Sequence, residues 1–333
     1  MFLKKARNIL CSIILTILIL PTTAFAYSDY IIAGGENIGI QINSKGVLIV
    51  GLYKIDNTYP GREAGLKLGD KIMAINSVNV DNINQMVEQI NKDPDKDAIQ
   101  ISYERYNKTY STNLKLVKNE ENIYKTGLYV KDTINGIGTL TYIDPNTKIF
   151  GALGHEIAEK NTGQMIEVKD GKIFKSEVLG ITKSTTGVAG EKQAKYYSTI
   201  VYGDIRENTN HGIFGLYNDI PDKALYKVAQ PSEVKLGKAS ILTVINDEQV
   251  EEFDINIIKI NNDGQKVKNI LFNITDAGLL DATGGVVQGM SGSPIIQDEM
   301  IVGAVTHVIV DDPIKGYGIF ITYMLEEAEN EEE

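Results

Sequence analysis

The sequence predicts a mainly β chain: a compact α+β module over 27–118, then a larger domain of two small β-barrels over 131–325. Three observations carry this. Over some 190 residues after position 130, helical periodicity is nearly absent, and short apolar runs recur between Gly, Asp, Asn and Pro. The earlier module mixes alternating strands with one helical repeat. The two side chains best placed for nucleophilic chemistry, His155 and Ser291, stand 136 positions apart, room for one small barrel between them.

At 333 residues the chain is long enough for one large or two ordinary domains with proper cores. Its formal charge is −11, and the first 26 residues hold Lys4, Lys5, Arg7 and no acid, so without them it is −14. That balance argues against nucleic acid as a partner. The acidic residues 326–333 read as a solvated, disordered tail, and no chemistry is assigned to them. At the other end a basic start leads into the 12 apolar-run residues Ile9–Leu20, then Pro21 and Ala24-Phe25-Ala26. Residues 1–26 are thus a secretory signal peptide or a retained membrane anchor, and the rest is exported. Cys11, inside that run, is the single cysteine, so the mature chain is expected to have no disulfide and no thiol chemistry.

In the first module, Gly46–Tyr53 is an apolar strand, and Pro60–Asn76 runs from a short helical turn through Gly69-Asp70 into another strand. Asp81 is placed to cap a helix whose Ile83, Met86, Val87 and Ile90 share one face. Ala98–Tyr103 closes the module as an alternating strand. On the run Ala64-Gly65-Leu66, Gly69-Asp70, Ile72 and Ile75-Asn76, this stretch resembles a PDZ domain. The resemblance implies that a peptide or protein C-terminus binds as an added strand, its carboxylate held by backbone amides of a Gly-containing loop. Here that loop would be Asn37-Ile38-Gly39-Ile40, with Ile38, Gly39 and Ile40 binding peptide; the plainer alternative is that Gly39 ends a strand. Residues 119–130 read as a charged linker.

Beyond it, Gly138–Ile143 and Lys148–Leu153 flank the turn Asp144-Pro145-Asn146 and make a hairpin. Further short strands follow, to Ile301–Val305. Among them, Gly285-Val286-Val287-Gln288-Gly289-Met290-Ser291-Gly292-Ser293-Pro294 sets a serine between two glycines. Such a turn lets Ser291 serve as nucleophile while the amides of Gly289 and Ser291 converge as an oxyanion hole. An ordinary Gly/Ser turn would look the same in isolation. The serine needs a base, and of His155, His211 and His307 the first follows a strand through Leu153-Gly154. Histidine early and Gly-x-Ser-Gly late is the order in chymotrypsin-like double-barrel proteases. His155-Glu156-Ile157-Ala158-Glu159 begins like a zinc helix, but the second histidine is Glu159, so no metal is expected, and no cofactor.

Taken together, Gly151–His155, Thr275-Asp276, Thr283–Ile295 and Gly303–Val308 are similar to the stage IV sporulation protein B family of serine peptidases, and the similarity spans nearly the whole chain. It implies that Ser291 and His155 are catalytic, that Asp276 is the triad acid, and that Thr306 supports the site. Position alone favours an acid midway between the histidine and the serine, so Asp204 stands second and Asp219 is also open. Asp276 could equally line the substrate pocket. His307 alternates to the face opposite Thr306, so one of the two points away from the cleft. Asn208 and Asn210, before His211, either shape the site or form a turn. The resemblance further implies a protein substrate, a membrane-anchored sporulation regulator whose cleavage activates an intramembrane protease and late sigma factor processing, along with autoproteolysis, in the intermembrane space of the forespore. The rivals are a non-catalytic PDZ adaptor and a paralogous protease with other substrates.

Overall fold

The computed structural model describes residues 27–92, 97–118, 123–261 and 267–329. The expected signal or anchor, and the last four residues of the expected tail, lie outside these. Among the described residues no helix is long and apolar enough to cross a membrane. The chain opens with β1 (Tyr30–Ala33) and the long β2 (Asn37–Leu52), followed by α1 (Pro60–Glu63), β3 (Lys71–Ile75), β4 (Val78–Asn79), α2 (Ile83–Asn91), β5 (Ala98–Arg105) and β6 (Lys108–Lys115). The ribbon of β7 (Val117–Lys118) and β8 (Tyr124–Lys125) leads into a second long strand, β9 (Leu128–Ile143).

Only the second half of β2 belongs to the first module. There Val47 and Ile49 join Leu66, Ile72, Ile75, Met86, Ile90, Ile99, Ile101 and Leu114 in one core. The helical repeat is α2, as its spacing predicts, although Asn82 rather than Asp81 is its cap, accepting from the Gln85 amide at 2.9 Å.

The first half of β2 corrects the expected peptide-binding loop. Asn37–Asn43 pairs on one edge with β9 and on the other, through Ile38–Ser44, with β11 (Val168–Thr182). Ile38, Ile40 and Ile42 are fully buried with Leu140, Ile143, Phe150, Ile173, Ile205 and Ile213. Each such side chain contributes roughly 1.5–3 kcal/mol on burial, so an open loop would forgo several kcal/mol. Gly39 faces outward under Tyr196, where a Cβ would come within 2.2 Å of that residue's own Cβ. Both edges of this segment are therefore occupied, and Ile38, Gly39 and Ile40 are barrel residues with no edge to offer a peptide.

The first barrel closes in the order β2, β9, β10 (Ile149–Ala152), β13 (Gly212–Tyr217), β12 (Glu191–Thr209), β11 and back to β2. After β14 (Leu225–Val228), the second closes through β15 (Gly237–Val244), β16 (Val250–Ile260), β17 (Ile270–Ile274), β20 (Lys315–Phe320), β19 (Met300–Val308) and β18 (Pro294–Gln297). Its core gathers Ile241, Phe253, Ile255, Phe272, Met290, Ile295, Val302 and Phe320. The architecture is the expected double barrel, with β1 bridging β9 and β14.

Two helices were not legible as periodicity. α3 (Ala277–Thr283) is short and ends at Gly284 in the left-handed conformation. α4 (Ile321–Glu329) buries Met324 and Leu325 and carries 326–329 as its last turn, so that half of the expected disordered tail is helical. Glu327 from this turn stands 2.8 Å from His211.

Candidate active site

The serine turn crosses from the second barrel to the first, and β9 holds it there. Thr139 donates its amide to the Ser291 carbonyl at 3.0 Å and its hydroxyl to the Gly289 carbonyl at 2.7 Å. Two residues on, on the same face, the Thr141 hydroxyl donates to the Gly292 carbonyl at 2.8 Å. The Gly292 amide reaches the Val305 carbonyl of β19 at 2.7 Å. Gly292 has φ +95°, and a Cβ on it would fall 2.0 Å from the Thr139 oxygen, so only glycine fits. Among the described residues, the amides of Gly289 and Ser291 make no backbone hydrogen bond. Two amides without a backbone partner are what an oxyanion hole requires.

His155 leaves β10 through Leu153 and Gly154, both in the left-handed region at φ +71° and +70°. Its Nδ1 lies 2.8 Å from the Glu156 carbonyl. A carbonyl only accepts, so Nδ1 carries the proton and Nε2 is left as a free base. Burial lowers the imidazole below its ordinary value of 6.5, and Glu156 partly opposes this. His155, Glu156, Gln288, Gly289 and Ser291 line one cleft of about 480 Å³. The Ser291 hydroxyl donates to the Thr306 carbonyl at 2.7 Å. The serine thus rests against β19 and shares the cleft with His155.

The expected acid is not in that cleft. Asp276 is the N-cap of α3, its carboxylate accepting from the Leu279 amide at 2.7 Å, and the Thr-Asp spacing before the glycine pair is explained by this cap. Asp204, the second candidate, lies within β12 opposite Lys172 and Leu216. The group that meets Nδ1 is a main-chain carbonyl instead. Thr306 meets the serine through its backbone, while its own hydroxyl donates to the Tyr317 carbonyl at 3.1 Å. Glu159, at the place of a zinc helix's second histidine, is occupied by Lys131 at 3.0 Å and by the amides of Asn161 and Thr162.

All three histidines of the chain gather here. The His307 ring is 5.1 Å from that of His155, and His211, His307 and Glu156 line a neighbouring cavity of about 350 Å³. Of the Thr306–His307 pair it is therefore His307 whose side chain faces the site. Burial, reinforced by His155, pushes His307 down to about 4. His211 stands just before β13, and its approach to Glu327 lacks hydrogen-bond alignment. Asn208 is no turn residue: in β12, it bonds Ile157 and Ile166 and so fixes the segment after His155. Thr139 and Thr141 escaped the sequence reading, although two threonines on the inward face of an apolar strand are a signal for buried hydroxyl donors.

Residues 37–116 match the PDZ domain, and residues 122–325, more than half of the chain, match the SpoIVB peptidase S55 family. No curated protein sequence matches significantly. Among solved structures, the PDZ domain of the SdrC-like protein of Listeria monocytogenes is 21% identical at a TM-score of 0.24, covering 27% of this chain and 93% of that one. The active form of the Rv3671c protease of M. tuberculosis is 14% identical at a TM-score of 0.34, covering 59% of this chain and 75% of that one. A turn that frees two amides beside a serine, facing a neutral imidazole across one cleft, is what such a peptidase needs, and the chain belongs to the SpoIVB peptidase S55 family, as a serine peptidase with a PDZ domain.

Proposed function

We propose that Ser291 is the nucleophile, His155 the general base, and the Gly289 and Ser291 amides the oxyanion hole of an exported endopeptidase. It cuts a membrane-anchored regulator of sporulation, and itself. The observation that carries the catalytic part is the shared cleft, with Nε2 of His155 unprotonated and two amides unpaired beside the serine. Substrate binding turns the Ser291 hydroxyl from the Thr306 carbonyl toward Nε2. His155 then takes its proton as Oγ attacks the peptide carbonyl, and the two amides receive the oxyanion. The imidazolium returns the proton to the leaving amine, and water releases the acyl-enzyme. Nδ1–H stays on the Glu156 carbonyl throughout, which orients the ring without a carboxylate. The S55 family match, the PDZ module and the apolar N-terminus support the substrate reading.

The test compares residues 27–333 with Ser291→Ala and His155→Ala, measuring cleavage of a denatured protein and labelling by a fluorophosphonate. Cleavage and labelling lost in both variants are expected. A folded protein that neither cuts nor labels overturns the reading and leaves a PDZ adaptor.

A further inference from the structure

Lys192, the second residue of β12, is 3% exposed. Its amine donates to the Thr243 hydroxyl of β15 at 2.9 Å, and among the described residues it has no ion pair. A lysine so placed costs several kcal/mol relative to an apolar residue of the same size, so packing alone does not explain it. Its surroundings lead to the serine turn. The Lys192 amide donates to the Gln288 carbonyl at 2.9 Å, and the Gln288 amide donates to Gly190 at 2.8 Å. These two bonds clamp the residue before Gly289. The Lys192 stem lies against Gly289 itself, where a Cβ would meet its Cβ, Cγ and Cδ at 3.1–3.2 Å. Gly289 has φ +96°, in the left-handed region that favours glycine, and it lines the cleft.

We propose that Lys192 is a positioning residue of the oxyanion turn: its stem and amide fix Gly289, and its buried ammonium places positive charge beneath the turn as negative charge develops on the substrate oxygen. This rests on Ser291 being the nucleophile. No bond forms or breaks at Lys192, and the amine keeps its proton through the step. The groups packed against it are Thr243, Gly289 and, opposite on β11, Ile181, and none of them titrates. Burial unopposed by any acid brings the amine down to about 7, so the charge is present below neutrality and lost above it. Activity accordingly needs His155 neutral and Lys192 charged, which gives a bell-shaped profile with Lys192 on its alkaline side.

The experiment measures kcat/KM of the full chain on a quenched peptide across the neutral range, for the native protein, Lys192→Met and Thr243→Val, with Ser291→Ala as control. Lys192→Met is expected to lose about tenfold at the optimum, less than the hundredfold or more of a direct oxyanion donor, and to lose the alkaline limb. Thr243→Val, which keeps shape but removes the acceptor of the ammonium, is expected to move that limb to lower pH. A Lys192→Met protein that is slow but keeps the native limb, or a limb unmoved in Thr243→Val, overturns the proposal while the peptidase reading stands. Cleavage that persists in Ser291→Ala, or is missing from the native protein, overturns both.

Discussion

The two turns that deliver the serine and the histidine are built differently. The serine turn is tied to β9 and β19 by six hydrogen bonds, three of them from Thr139 and Thr141 across the barrel interface. The histidine ring has a single hydrogen bond, to the carbonyl of the next residue, and lines an open cleft. One half of the machinery is fixed before substrate arrives, and the other has room to adjust. Preorganised amides matter most where charge develops, whereas a base must follow a moving proton.

The contrast breaks first at Gly292. Gly292→Ala would drive a methyl into the Thr139 carbonyl, so we expect loss of all fluorophosphonate labelling together with a lower melting temperature. His155→Ala should cost about 10⁴-fold or more in kcat/KM while leaving melting nearly unchanged, because the turn does not depend on the ring. Thr139→Val leaves the Gly289 carbonyl unpaired, a cost of about 1–3 kcal/mol that should appear in kcat with KM unchanged.

The base side is sharpened by acid. His307 is held near 4 when folded against an ordinary 6.5, so between those values the unfolded chain binds the extra proton, and stability falls as pH falls through that window. His307→Gln should flatten that part of a melting-against-pH series. The smallest effect is expected for Asp276→Ala. It removes a helix cap worth about 1 kcal/mol, read as a lower denaturation midpoint, with kcat/KM within about twofold of native. A loss comparable to that of His155→Ala would instead make Asp276 the missing acid and overturn its reading as a cap.

The barrel strands and the serine turn were legible because alternation and glycine punctuation are local signals. The same alternation ran through Ile38, Ile40 and Ile42, but which core they enter depends on partners some 90 and 130 residues downstream, and no local pattern shows that. The gathering of His155, His211 and His307 was hidden for the same reason, since two separate loops and the strand β19 bring them together. Asp276 shows the opposite ambiguity. Its place before the turn is real, but a carboxylate capping a helix and one facing an imidazole have the same spacing from Ser291. Lys192 was indistinguishable from any surface lysine until its neighbours were visible.

β2 and β9 each run through both the PDZ core and the first barrel, and β9 goes on to grip the serine turn. The two modules therefore cannot be exchanged as cassettes. Cutting at the apparent boundary would pull one of six staves from the barrel and expose the edge beside it. A transplanted PDZ domain would have to bring its own continuation into the peptidase. Selection on either module then acts on the same two strands, so they are free to diverge only together.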